Sequence, residues 1–244
     1  MKKQRVRPPS KLTDKPDLLL PNPNLLKLKF FQPDRIENLI LNEIDVDYRF
    51  EELGLKPESI VIDIGAHTGV VSMSIAKKYG CRVHCFEPAL YNYDRLCQNI
   101  TRNGLEELVF PHHLAVTGDG RDVIIGNDGW NWGANNIYGD KGDKVKSIAF
   151  SDVIKAYSKN GHVDLLKIDC EKAEFEILGN MELLKGVQAI RGEFHCIVLG
   201  DIEEFLAKVK TVVPNTRVTM QYSNRQKKEM TRIALEKGNA KTTL

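Results

Sequence analysis

The sequence predicts an α/β fold: a doubly wound, mostly parallel seven-stranded sheet that ends in an antiparallel C-terminal hairpin. Three observations support this prediction. Apolar, β-branched runs alternate with helical patterns from residue 59 onward, a glycine-rich turn follows the first run, and two strand patterns near the C-terminus are joined by a connection too short for a crossover helix. The 244 residues are 42% apolar and 28% charged, which excludes collagen, coiled coils and a wholly disordered chain.

The chain is predicted to divide into four parts. Residues 1–30 form a basic arm, because proline recurs too often near the start for regular structure. Residues 31–56 form a helical segment, since apolar residues recur there at helical spacing. The α/β domain spans residues 57–236, and residues 237–244 form a tail.

The first half of the α/β domain contains three predicted strands with helices between them. The first run is largely β-branched, as expected for a strand covered on both faces. The second helix is stopped by Gly104. The strands are placed at residues 59–64, 81–86 and 108–110, and the helices at residues 71–79 and 91–103.

The second half begins after a polar insertion, residues 117–149, which is long enough to be either functional or disordered. Its segment Trp130–Asn135 combines flat rings and amides, so it either stacks on a sugar or anchors the loop to the sheet. The hairpin strands must be antiparallel because their connection is short. The strands are placed at residues 163–168, 189–195, 216–222 and 231–235, and the helices at residues 173–178 and 202–209.

The charge distribution and the cysteine content restrict the partners and the cellular location that the sequence allows. The net charge of +2 combines +6 in residues 1–30, +4 in residues 224–244 and −8 between them, so the ends are either solvated tails or contacts for a polyanion. Five cysteines without CxxC spacing indicate reduced thiols and hence a cytoplasmic protein. No apolar run reaches the roughly 20 residues of a membrane span, and the basic start does not form a secretory signal.

The turn after the first strand, Asp63-Ile-Gly-Ala-His-Thr-Gly69, indicates a ligand site rather than a tight turn alone. Ligands of doubly wound sheets bind outside the carboxyl ends of the strands, where glycines allow close approach. His67 and Val70 stand where a dinucleotide fingerprint needs glycine, which disfavours a pyrophosphate. A carboxylate before the first glycine suits a cationic ligand such as S-adenosylmethionine (SAM), which carries an ammonium and a sulfonium.

Glu87 strengthens the prediction of a nucleoside site. It follows the second strand, 22 residues after Gly65, and an acid at this place can accept both hydroxyls of a ribose. Pro88 stiffens the turn that follows. An acid at this place is by itself more often a surface-loop residue. The prediction of a nucleoside site therefore depends on finding Glu87 together with the Asp63 turn.

Five segments together resemble the FkbM family of SAM-dependent methyltransferases. They are VIDIGAHTG (61–69), CFEP (85–88), the helix with Asn99 and Asn103-Gly104, LLKIDCEKAEFEIL (165–178) and EFH (193–195). The resemblance implies the class I, Rossmann-like methyltransferase fold, with SAM as cofactor and S-adenosylhomocysteine (SAH) as product. It also implies O-methylation of sugars or small natural products. Lys172 stands where the family has glycine, a departure that bears on substrate class and activity.

Ten residues are expected to bind the cofactor. By analogy with the fold, Ala115 is small enough to border adenine, and Asp169 ends the fourth strand in line with the glycine turn. The full set is Asp63, Gly65, Ala66, His67, Thr68, Gly69, Glu87, Pro88, Ala115 and Asp169.

Acids and a histidine gather at the ends of the fourth and fifth strands. Glu193 and His195 are two apart on a strand and point to the same side of the sheet, while Glu171 and Glu174 share a helix face. We expect His195 to be the base that takes the acceptor's proton, with Asp169 and Glu193 orienting it or binding hydroxyls. The predicted catalytic residues are therefore His195, Asp169, Glu193 and Glu171.

Other roles for the same residues stay open. Asp169, Glu193 and His195 have the chemistry to hold a divalent metal that lowers the pKa of a hydroxyl, although we favour a site without metal. His195 is alternatively a hydrogen-bonded core histidine. Glu171 and Glu174 are alternatively helix N-terminal acids stabilised by the helix dipole.

These observations predict a SAM-dependent O-methyltransferase that acts on a hydroxyl of a carbohydrate or small metabolite and has no membrane partner. Two alternatives remain. The basic ends favour a nucleic-acid methyltransferase, and Lys172 favours a catalytically silent SAM-binding protein.

Overall fold

A computed structural model describes residues 28–31, 37, 40–41, 44, 48–126, 142–195, 199–212, 216–222 and 231–237. In chain order, the strands are β1 (Ile60–Ile64), β2 (Arg82–Phe86), β3 (Val109–His112), β4 (Ala115–Thr117), β5 (Val123–Gly126), β6 (Gly142–Val145), β7 (Ser147–Ala149), β8 (Val163–Ile168), β9 (Val187–Phe194), β10 (Thr216–Tyr222) and β11 (Thr231–Lys237). The helices are α1 (Val70–Tyr79), α2 (Leu90–Asn103), α3 (Phe150–Tyr157), α4 (Glu174–Ile177) and α5 (Leu199–Val212), with 3₁₀ turns at Phe50–Leu53 and Met181–Gly186.

The central sheet has the strand order β10-β11-β9-β8-β1-β2-β3. Its five strands from β9 to β3 run parallel, while β11 is antiparallel to both β9 and β10. The predicted α/β fold with a mostly parallel sheet is confirmed. Because β1, β2, β8 and β9 are parallel neighbours, their carboxyl ends meet at one edge of the sheet.

Two apolar layers cover the sheet. On one side, α1 and α2 pack with the N-terminal segment, where Leu28, Phe30 and Phe50 are buried. On the other side, α3, α4 and α5 pack against β8 and β9 around Phe150 and Phe194. None of the helices in the described part of the chain has the length and apolar character to cross a bilayer.

The N-terminal segment is tied to α2 by two asparagines. The Asn103 amide accepts from Lys29 N–H at 2.9 Å and donates to Lys29 O at 2.8 Å, and Asn99 Oδ1 accepts from Phe31 N–H at 2.6 Å. Within the predicted helical segment, Glu37, Ile40 and Leu41 lie in helical backbone. Residues 1–27, most of the predicted arm, lie outside the described residues.

The predicted polar insertion contains more regular structure than the sequence indicated. Strand β4 pairs with β7, β5 pairs with β6, and α3 follows directly. These strands have only three or four residues, too few for alternation to be recognised. Residues 127–141, which include the predicted sugar-stacking segment Trp130–Asn135, lie outside the described residues.

Candidate active site

The glycine turn joins β1 to α1 at the carboxyl edge of the sheet. The N–H groups of Gly65 and Ala66 both donate to Phe86 O at 3.0 Å, which fastens the turn to the end of β2. Gly65 has φ +80°, and a Cβ there would lie 1.8 Å from Asp169 O. A Cβ at Gly69 (φ +85°) would lie 2.3 Å from Leu96 Cδ1. Gly65 is therefore required by close packing against the backbone at the end of β8, and Gly69 is favoured by its left-handed backbone conformation.

Glu87 follows β2 and is nearly buried beside this turn. Its Oε2 accepts from His67 N–H at 2.8 Å, and its Oε1 accepts from Ala89 N–H at 2.9 Å. Burial raises the pKa of Glu87 to about 7, although these two N–H groups and the Asn92 side chain oppose the shift. Each carboxylate oxygen has a second lone pair, so the side chain is held in place with remaining capacity to accept from a ligand.

Asp63 lies within β1 and is fully buried, paired with a lysine on the adjacent strand. Asp63 and Lys167 are register partners on β1 and β8, and Lys167 Nζ lies 3.3 Å from Asp63 Oδ1. The other oxygen, Oδ2, accepts from Ser72 Oγ at 2.6 Å. From the sequence we expected a cationic ligand to balance Asp63, whereas here Lys167 balances it from within the chain.

Lys167 also contacts two groups at the carboxyl edge. Its Nζ donates to Gly65 O at 2.9 Å and lies 3.8 Å from Asp169 Oδ2. Burial alone would lower the pKa of Lys167, but the charges of Asp63 and Asp169 raise it above its usual value. The lysine therefore stays charged and links the glycine turn to the acids at the end of β8.

His195 follows β9 and lies among the acids that follow β8. Its Nδ1 lies 3.0 Å from Glu174 Oε1, and its Nε2 lies 3.5 Å from Glu171 Oε2. Asp169, Glu171 and His195 each offer one ligand atom, and the three atoms lie within 4.8 Å of one another. Glu174 is fully buried, whereas the side chains of Asp169 and Glu171 are about a quarter exposed (28% and 27%). The cluster therefore opens to solvent through these two carboxylates.

The charges in this cluster shift two pKa values in the same direction. Burial alone would lower the pKa of His195, but the hydrogen bond and charge of Glu174, with the charges of Glu171 and Asp169, raise it to about 9. Burial raises the pKa of Glu171 to about 7, the positive charge of His195 opposes this shift, and the neighbouring acids add to it. At neutral pH, His195 is therefore an imidazolium and Glu171 is close to half ionised.

Of the other predicted site residues, Glu193 and Pro88 lie at the ends of central strands, whereas Ala115 lies outside the central sheet. Glu193, at the end of β9, is largely buried, and its charge raises the pKa values of Glu171 and Lys167. Pro88 O lies 3.0 Å from His113 Nε2. Ala115 is buried in a small cluster with strands β5 and β6, and its position beside adenine stays a prediction. The basic C-terminal segment from residue 224 is described only at residues 231–237.

Two residues that position the site were missed from the sequence. Lys167 interrupts the apolar run of β8, and a lysine inside a buried strand needs an acid close by, so its pairing with Asp63 was predictable. Asn99 donates from Nδ2 to Thr68 O at 2.9 Å while its Oδ1 holds Phe31 N–H. It therefore connects the N-terminal segment to the glycine turn, a contact across 68 residues of sequence that no local pattern indicates.

Comparison with protein families shows which family contains this arrangement of residues. The family described as the methyltransferase FkbM domain matches residues 63–236, which include the glycine turn, Glu87 and the acidic cluster. The chain belongs to the FkbM methyltransferase family. The prediction of a SAM-dependent methyltransferase of this family is confirmed.

Individual relatives agree with this assignment. Methyltransferase sdnD of Sordaria araneosa is 24% identical over 195 residues, which cover 64% of this chain and 73% of that protein. A methyltransferase FkbM structure from Methylobacillus flagellatus has a TM-score of 0.54 at 12% identity, covering 83% of this chain and 55% of that chain. An rRNA methylase from Streptococcus thermophilus has a TM-score of 0.51 at 12% identity, covering 78% and 93%. At such identities the two structures show a shared fold only.

Proposed function

We propose that this FkbM methyltransferase transfers a methyl group from SAM to a hydroxyl group of a sugar or small metabolite. The observation that carries the proposal is the partly exposed cluster of Asp169, Glu171 and His195 at the same sheet edge as the glycine turn. Methyl transfer requires the acceptor to be held beside the donor, and a hydroxyl is a poor nucleophile until its proton is removed. The cluster offers side chains that can hold the acceptor and side chains that can accept the hydroxyl proton.

The residues around the glycine turn fit a cationic nucleoside. Glu87 and Asp169 place carboxylates at the ends of β2 and β8, while the buried pair of Asp63 and Lys167 supports the turn between them. When bound, SAM supplies a methyl group whose carbon is made electrophilic by the positively charged sulfur. We assign its binding to Asp63, Gly65, Ala66, His67, Thr68, Gly69, Glu87, Pro88, Ala115 and Asp169.

Within the cluster, we assign proton acceptance to Glu171 rather than to His195. With a pKa of about 9, the His195 imidazole already holds a proton at neutral pH, whereas Glu171, with a pKa of about 7, has a large ionised fraction. The positive charge of His195 then favours the negative charge that develops on the hydroxyl oxygen. Asp169 and Glu193 accept hydrogen bonds from the acceptor's other hydroxyls.

The charge of this edge favours a neutral or cationic acceptor over a nucleic acid. A phosphate backbone would approach the exposed carboxylates of Asp169 and Glu171, and like charges at close range repel. The rRNA methylase neighbour shows the fold alone, so it does not favour the nucleic-acid alternative. We also keep the cytoplasmic location as a proposal, which the free thiols of Cys81, Cys85, Cys97 and Cys170 support.

A panel assay with a labelled methyl donor tests the proposal. The panel contains sugars, hydroxylated metabolites and RNA, and we expect label in a hydroxyl compound. The Glu171→Gln variant should lower kcat by roughly 10²-fold while leaving the affinity for SAH unchanged. The matched control is Glu176→Gln in α4, whose carboxylate pairs with Arg121 and which should keep its kcat. Label in RNA alone, or none in any hydroxyl while SAH binds, overturns the proposal.

A further inference from the structure

We propose that Asp169, Glu171 and His195 form a binding site for one divalent cation of the Mn²⁺ type, held beside the glycine turn. Their three ligand atoms lie within 4.8 Å of one another, and they come from the ends of two adjacent parallel strands. Metal–ligand bonds of about 2.1 Å place neighbouring ligands about 3 Å apart, so the 3.5 Å between His195 Nε2 and Glu171 Oε2 needs only a small contraction.

The orientation of His195 is the one that a metal-binding histidine needs. Its Nδ1 is held by Glu174 Oε1 at 3.0 Å, which leaves Nε2 directed at Glu171. A histidine that binds a metal through one ring nitrogen usually donates a hydrogen bond from the other to a carboxylate. This bond fixes the ring orientation and the tautomer. Glu174 also accepts from the backbone N–H groups of Cys170 and Lys172, so the supporting carboxylate is itself fixed.

Unbalanced buried charge gives an independent indication of a cation. Glu174 is fully buried, and its Oε2 receives no hydrogen bond from the described residues. Four carboxylates, those of Asp169, Glu171, Glu174 and Glu193, act electrostatically on the cluster, where the cations are His195 and Lys167. Buried negative charge in excess is costly unless a cation balances it. A divalent ion at the three ligand atoms supplies that balance, and His195 Nε2 releases its proton to water as it becomes a ligand.

The ligand set selects the type of ion. Two carboxylates and one imidazole give two oxygens and one nitrogen, which suits a six-coordinate ion such as Mn²⁺ better than a thiolate-preferring ion. Three ligands leave positions open, and the partly exposed side chains of Asp169 and Glu171 leave a path for the ion to enter. An open position next to the glycine turn is where an acceptor hydroxyl can coordinate.

The consequence for methyl transfer rests on the proposed function. Coordination lowers the pKa of the hydroxyl, and its proton leaves to water, so the ion takes over the activation otherwise assigned to Glu171. The oxygen then forms the new bond to the methyl carbon. The carbon–sulfur bond of the donor breaks, and its electron pair stays on the sulfur. The sum is an ether, SAH and one released proton.

A Mn²⁺ titration of the chelator-treated full-length protein tests the site without donor or acceptor. Electron paramagnetic resonance should show one bound Mn²⁺ per chain. Asp169→Asn and Glu171→Gln should each weaken Mn²⁺ binding at least tenfold, and Glu174→Gln, which acts through His195, by about 10–100-fold. The matched control Glu176→Gln should bind as the parent protein does. Unchanged SAH affinity in Glu171→Gln and Glu174→Gln, and an unchanged circular dichroism spectrum in Asp169→Asn, show that the fold is intact.

Each result decides one claim. The absence of stoichiometric Mn²⁺, or variants that bind it as tightly as the parent protein, overturns the metal site. Stoichiometric binding lost in the three variants supports the site, even where no hydroxyl acceptor is methylated, so it can stand if the proposed function fails. A full methylation rate in excess chelator overturns the role of the ion in catalysis and leaves the proposed function intact.

Discussion

Two acid–cation pairs at the same edge of the sheet differ in burial and in charge balance. Asp63 and Lys167 pair across β1 and β8, and their side chains are 0% and 4% exposed. Glu171 and His195 pair across the ends of β8 and β9, and their side chains are 27% and 14% exposed. The first pair is closed to solvent and sits under the glycine turn. The second pair meets solvent and is surrounded by further acids.

The two pairs at this edge therefore differ in role. The inner pair stabilises the structure, and the outer pair is available for proton exchange. Lys167 neutralises Asp63 and holds Gly65 O, so the inner pair fixes the turn to which we assign the cofactor. In the outer pair, burial, with smaller contributions from the surrounding acids, brings the pKa of Glu171 to about 7, where it exchanges protons near neutral pH. Removing the inner pair should therefore affect stability first, and altering the outer pair should affect pH dependence first.

The largest effect is expected from Lys167→Met. The substitution leaves the Asp63 carboxylate buried without its cation, and breaking a buried pair in this way costs about 3–5 kcal/mol. Urea unfolding followed by circular dichroism measures the loss.

The double variant Asp63→Asn with Lys167→Met is the control for this prediction. It removes the uncompensated charge, so it should recover part of the lost free energy of unfolding. A single variant as stable as the parent protein would show that the inner pair does not support the fold.

The second-largest effect is expected in the His195→Gln variant, as a change in how the free energy of unfolding depends on pH. The pKa of His195 rises from 6.5 to about 9 on folding, so its stabilising contribution is complete below pH 6.5 and is lost as the pH rises through 9. The parent protein, with chelator present, should lose at most about 3 kcal/mol more than the variant across that window. Urea unfolding at half-unit pH intervals measures the difference.

The control for this pH series is His162→Gln, an exposed histidine that faces Asp164 on the opposite end of β8. Between pH 6.5 and 9, the free energy of unfolding of this variant should change with pH as that of the parent protein does. Parallel profiles for the parent protein and His195→Gln would mean that the acids around His195 do not hold its proton.

Much of this edge was predictable because its signals are local. The glycine turn, the acid after β2 and the acids after β8 are each read from a few adjacent residues. Parallel strands then bring their ends together by geometry alone. The parallel strands of the central sheet and helices α1, α2, α4 and α5 were found for the same reason, since apolar runs and helical periods are visible within one segment, whereas α3 was not predicted.

The remaining features depend on contacts between distant segments. Glu174 was predicted to be a helix N-terminal acid or a member of the acidic face, yet it is fully buried beneath His195, 21 residues away. The protonation of His195 follows from the sum of several neighbouring charges, which no single motif contains. Sequence reasoning therefore located the acids but could not assign which one carries the proton.

The smallest effect is expected at Lys172, where the resemblance to the family leads us to expect glycine. Lys172 follows Glu171 and adopts φ +83°, a left-handed conformation that side chains rarely take and glycine takes without strain. Lys172→Gly should therefore raise the free energy of unfolding by about 1 kcal/mol, since strain is relieved and chain entropy offsets part of it. The matched control is Asn160→Gly, an exposed residue at φ +54° whose side chain tolerates this conformation, so it should gain little. Equal gains in the two variants would show that the backbone at Lys172 holds no more strain than the backbone at Asn160.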